Sequence, residues 1–126
     1  MPAAAPDLLG WWDRPEALDS LGLTLAEGTA LATELSKLER SYQIAQRQLR
    51  TIRHTQLEML HDARVPGADI RRFNRENLQK LLASMGDDDI AARLWVRQQL
   101  STDRQALVLK RSPEFFGVPW FRAANG

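Results

Sequence analysis

Four arginines stand along one stretch of this sequence, Arg40, Arg47, Arg50 and Arg53, and three more, Arg71, Arg72 and Arg75, follow it. A guanidinium is always charged and offers five donors in a fixed fork. A cluster of them makes a surface that draws in acidic or unfolded partners by long-range attraction. Met59 and Phe73 lie close in sequence, and methionine, which adapts its shape to what it touches, would help to hold what the charge attracts. A solvated helix face is the plain alternative. Nucleic acid could use the same charges, but neighbouring acids cancel part of the field and no recognition motif is present, so no nucleic-acid partner is expected.

A second constellation is His54, Glu58 and His61. An imidazole four residues from a carboxylate on a helix is a partial site for zinc, nickel or copper. The two histidines are seven residues apart, about 10.5 Å along a straight helix, so they cannot share one ion. His54 with Glu58, or Glu58 with His61 and Asp62, would need completion, for instance across a dimer. Salt bridging at helical spacing is the alternative, with no cofactor at all. Catalysis has little to build on: two histidines, no positioned nucleophile, no glycine-rich phosphate loop and no paired carboxylates in a cleft. The chain is not expected to be an enzyme.

The element that must carry both constellations is one long helix. From Thr24 to about His61, apolar residues recur at Leu31, Leu35, Leu38, Tyr42, Ala45, Leu49, Ile52 and Met59, and only Gln56 breaks the 4,3 series. This is a heptad seam. It places Arg40 and Arg47 opposite the seam with Arg50 and Arg53 flanking. A helix of that length, roughly 57 Å, predicts an elongated molecule and requires a partner helix.

Charge divides the chain. Up to Glu39, seven acids face Arg14 and Lys37, a net of −5, whereas Arg40 to Arg75 holds eight arginines against Glu58, Asp62 and Asp69, a net of +5. The whole chain of 126 residues is +1, with 44% hydrophobic and 26% charged residues and no cysteine. Disulfides and thiolate metal sites are therefore excluded. No run approaches the roughly 20 apolar residues of a membrane span.

The flanking elements follow from punctuation. Residues 1–10, rich in Ala and Pro, read as a flexible lead-in. Asp13 reads as the N-cap region of a short helix Pro15 to Leu21, with proline in its first turn and Gly22 as its stop. Thr24 and Glu27 form a capping box that opens the long helix, and Thr102 with Gln105 repeats the pattern before a last helix from about Asp103 to Lys110. Arg64 to Gly67 is a turn. The returning stripe Ile70, Phe73, Leu78, Leu81, Leu82, Met85 keeps helical phase for four turns and then reaches Gly86, where one helix, bent or briefly interrupted, is expected to continue across the glycine. Asp87, Asp88 and Asp89 would then start the next helix, favoured by its dipole, with Ile90, Ala91, Leu94 and Trp95 on a rotated face. Residues 112–126 form an aromatic tail. Trp11, Trp12, Phe115, Phe116, Trp120 and Phe121 are expected to pack, the tail on the helices or across a dimer, because left in water they would be an adhesive patch.

The run WWDRPEALDSLGLT, the long helix, and QQLSTDRQALVL about eighty residues later resemble the Spy/CpxP superfamily of bacterial periplasmic proteins, which includes zinc-resistance-associated proteins and heavy-metal sensors. Its signature is a pair of LTxxQ motifs, each opening a helix. The first stands here as Leu23, Thr24, Leu25, Ala26, Glu27, with Glu for Gln. In the second, Leu100 and Ser101 fit one register, Thr102 and Gln105 another. The resemblance spans Trp11 to Leu109 and sets residues 11–111 as one helical domain. It implies an all-α helical hairpin with short terminal helices, paired as an antiparallel homodimeric cradle in the periplasm after loss of a signal peptide. It further implies ATP-independent binding of unfolded protein, or of an envelope signalling partner, on a basic, partly apolar face. A metal-binding sensor of the same fold and a structural coiled-coil module remain as alternatives.

Overall fold

The computed structural model describes residues 7–124. These residues are helical, with turns between, and include no strand. After a single 3-10 turn at Trp11–Asp13 come α1 (Pro15–Leu21), α2 (Leu25–His61), α3 (Gly67–Phe73), a π-helical segment (Asn74–Gln79), α4 (Lys80–Gln99) and α5 (Thr102–Arg111). They form two compact units: one holds the described residues up to Arg40 together with Ala91–Arg122, the other Ser41–Ile90 with the residues after Arg122.

The first unit owes its junction to the capping box. Thr24 N–H donates to Glu27 Oε1 at 2.9 Å and Glu27 N–H to Thr24 Oγ1 at 3.1 Å, which satisfies two backbone donors at the start of α2. Gly22 ends α1 in the left-handed conformation, φ 77°, which glycine adopts without a Cβ clash. One turn into α2, a Cβ on Gly28 would lie 2.5 Å from a buried Leu18 methyl, so the small residue sets how closely α1 approaches. The core here is Leu8, Trp11, Leu18, Leu21, Leu31, Leu35, Val96 and Val108 with the tail aromatics.

That tail docks on its own chain. Trp11 meets Trp12, Phe115 and Trp120 edge-on with centroids 5.4–5.9 Å apart, the geometry that ring quadrupoles favour. Phe121 packs against Trp12 at 5.8 Å. Gly10 N–H donates to Trp120 O at 2.7 Å, and Arg93 holds the tail from α4 through Phe116 O and Val118 O while its guanidinium lies 4.9 Å over the Trp120 ring. The lead-in expected over 1–10 lies outside the described residues as far as residue 6, and of the rest Leu8 and Gly10 are buried in this cluster while Leu9 is exposed.

Three local expectations are corrected. Asp13 does not cap α1; Arg14 is the N-cap residue without a side-chain bond, and Asp13 instead pairs with Arg122 at 2.8 Å. The last helix is capped by Ser101, extended at φ −62°, ψ 161°, whose side chain accepts from Arg104 N–H. Gln105 donates to Arg97 O and Leu100 O instead. Finally, α4 runs unbroken through Gly86 and Asp87–Asp89, so the acids do not begin a helix.

The irregularity lies earlier. Phe73 and Leu78 are five apart, one more than an α-helical turn of the stripe allows, and the backbone takes up the extra residue as the π segment Asn74–Gln79, as π-bulges do. With phase restored there, the covered row continues as Leu81, Met85, Asp89, Ala92 and Val96. Nothing needs to break at Gly86, and a Cβ there would meet open space.

The second unit is thinly packed. The α2 seam persists through Tyr42, Ala45, Leu49, Ile52 and Met59, but each is only half-buried, and none of residues 41–90 is fully buried. Gln56, the break in the heptad, finds its partner in the π segment: its Nε2 donates to Asn74 Oδ1 at 2.9 Å.

Candidate functional site

The site is built from the outward face of α2. Between Arg40 and Leu57 the chain contains no Asp or Glu, and Arg40, Arg47, Arg50, Arg53 and His54 are all exposed. Side chains three and four apart share a helix face, so Arg47, Arg50, Thr51 and His54 come together and line a shallow depression of about 440 Å³. Thr51 is held by its hydroxyl on Arg47 O at 3.2 Å. Ile44, 53% exposed, and Leu57, 50% exposed, add apolar surface to the same helix.

The remaining arginines are distributed otherwise. Arg72 is paired with Asp69 at 3.0 Å, and Arg71 and Arg75 are exposed on α3 and the π segment. Met59 and Phe73 are half-buried. The more exposed apolar side chains on α2 beside the arginines are Ile44 and Leu57, which the sequence reading did not name. Their signal was present: both lie off the seam series on an otherwise polar stretch.

Of the histidine constellation, the structure joins one pair. His54 Nε2 lies 3.0 Å from Glu58 Oε1. Asp62 is taken by Arg64, which bonds it through Nε at 3.1 Å and through its backbone N–H at 3.0 Å. The Arg64 side chain foremost, then its N–H, holds the Asp62 carboxyl below its usual range. Among the described residues no group of three or more His, Asp or Glu is gathered as a metal would require.

A charge cluster that sequence reading did not find lies in the first unit. Glu39 is buried, 5% exposed, and receives Arg122 Nε at 2.6 Å, Arg122 Nη2 at 2.7 Å and Arg122 N–H at 3.0 Å. Burial pushes this carboxyl up, but the Arg122 bonds and charge outweigh it and the net direction is down. Its partner stands 83 residues away in sequence, so no local pattern announces it.

Glu27 also has a second role. Its Oε2 lies 2.9 Å from Arg104 Nε, and Arg104 Nη1 donates to Gly22 O at 2.6 Å, which ties α5 to the junction of α1 and α2. Among the described residues no helix is long and apolar enough to cross a membrane. No family model matches the chain, and neither a curated protein nor a solved structure matches it.

Proposed function

We propose that this chain binds unfolded polypeptide, or a stress-signalling partner, without ATP, on the outward face of α2, as a periplasmic homodimer of Spy/CpxP type. The observation that carries the reading is the acid-free run from Arg40 to Leu57, whose exposed side chains include Arg40, Arg47, Arg50 and Arg53 together with Ile44 and Leu57. Such a face attracts at long range through charge and retains through apolar contact. The resemblance gains support from the junction of the first unit. In the register that starts at Leu100 and Ser101, the residues at the two glutamine positions are Glu27 and Arg104, and these form an ion pair. The charges that depart from the motif thus complement each other. The homodimer is favoured by the thin packing of residues 41–90 and by exposed Leu60, Leu82 and Ile90.

The test is light scattering of a chemically unfolded protein diluted with and without this chain, with chelator and with zinc. Suppression that survives chelation and is lost on Arg47→Glu with Arg50→Glu is expected. Absence of suppression under every condition would overturn the reading. The contact of His54 with Glu58 favours a second reading, metal binding completed by a partner chain; suppression or assembly only with zinc, abolished by His54→Ala, would put it first.

A further inference from the structure

We infer that the outward face of α2 takes its partner as an acidic amphipathic helix, not as an extended chain; this rests on the client-binding reading of the same face. Arg47, Arg50, His54, Leu57 and His61 are spaced 3,4,3,4 and all are exposed. That is the spacing at which side chains of one helix meet those of another lying along it, repeated here on the side opposite the intramolecular seam.

The geometry discriminates between occupants. The five positions span fourteen residues, about 21 Å at 1.5 Å per residue, an average step of about 5.2 Å. An extended peptide presents same-side groups about every 6.7 Å, so over four steps it drifts out of register by about one position. A helix of about four turns stays in step. Charge sets the composition of that helix. Arg47 and Arg50, three apart, line the depression with Thr51 and His54 and call for carboxylates at helical spacing, whereas Ile44 and Leu57 flank it and call for aliphatic groups beside those carboxylates. Glu58, the acid on this face, is engaged by His54 and so repels the occupant less than a free carboxylate would. An arginine fork also holds a carboxylate bidentately, so charge and direction are both used.

The experiment uses the full chain and three labelled peptides of about 18 residues: one with glutamates at 3,4 spacing flanked by leucines, a scramble of the same composition, and the first with a central proline. Fluorescence anisotropy reads affinity and circular dichroism reads helix gained on mixing. The patterned peptide should bind about tenfold more tightly than the scramble or the proline form, gain helicity on binding, and lose affinity as salt rises. Arg47→Glu with Arg50→Glu should weaken it by a similar factor, while Lys110→Glu, an exposed cation on α5, should leave it unchanged. Equal binding of patterned and scrambled peptides, or binding indifferent to Arg47→Glu with Arg50→Glu, overturns the inference. Should aggregation still be suppressed in that case, the broader client-binding reading stands without it. Patterned binding with no suppression of aggregation would support the ligand class and overturn the chaperone reading.

Discussion

Glu39 shows how one residue can couple the terminal segment to the long helix. A buried carboxylate without a partner would be costly, and Arg122 supplies three donors while also reaching Asp13. The same bonds raise the Arg122 guanidinium further above its ordinary value, Glu39 first and Asp13 second. Because the folded carboxyl titrates below its unfolded value of 4.5, its contribution is fully present above that pH and is lost as pH falls through the lower folded value. Glu39→Gln keeps the shape and removes the charge. Thermal unfolding of this variant should show a loss of about 2 kcal/mol at neutral pH and a gap from the parent that narrows as pH falls below 4.5. A gap that stays constant with pH would mean that the charge of Glu39 is not what holds Arg122.

At the scale of elements, the π segment explains an irregularity that the sequence displays but does not locate. The stripe step from Phe73 to Leu78 is one residue too long, and two remedies exist: a bend later on, or an extra residue absorbed on the spot. Read from the sequence, the stripe is expected to keep helical phase as far as Met85, with a bend at Gly86 because Ile90, Ala91, Leu94 and Trp95 lie on a rotated face. The structure adopts the second, since Asn74 is held there by Gln56 and the π segment costs no hydrogen-bonded turn at Gly86. Deleting exposed Glu76 should therefore convert Asn74–Gln79 to regular α-helix and leave the melting temperature within a few degrees of the parent. Deleting exposed Ser84 should rotate everything beyond it by about 100° and unfold much of α4, visible as lost ellipticity. Equal damage from the two deletions would deny the π segment its role as absorber of phase. The same contrast shows what was legible. Heptad spacing, the Thr24–Glu27 box and the Gly22 stop are local, and each appears where the residues point. The Ser101 cap was lost to the neighbouring Thr102 because both residues can cap and only backbone conformation chooses between them. Of the basic face of α2, the arginines were legible from spacing on a helix, whereas the half-burial of Met59 and Phe73 was not, because sequence alone does not say which side of α2 and α3 is covered.

For the whole molecule, burial is distributed unevenly, and this bears on assembly. The described residues up to Arg40 and Ala91–Arg122 contain all the fully buried side chains, including Trp11, Leu21, Leu35, Val96, Phe115 and Trp120, whereas residues 41–90 contain none. Half-buried seams contribute less than the roughly 25 cal/mol per Å² that full removal from water would give over the whole side chain, so the second unit should open locally at lower free energy. A second copy laid over exposed Leu60, Leu82 and Ile90 would remedy this by mass action, leaving the basic face of α2 for a partner. Backbone hydrogen exchange at about 1 µM and about 100 µM separates the cases. Amides in 41–90 should gain protection as concentration rises, while those in α1 and the first turns of α2 should not change. Exchange in 41–90 that is fast and identical at both concentrations would overturn the homodimer, and would mean that this unit completes its core only when a client covers it.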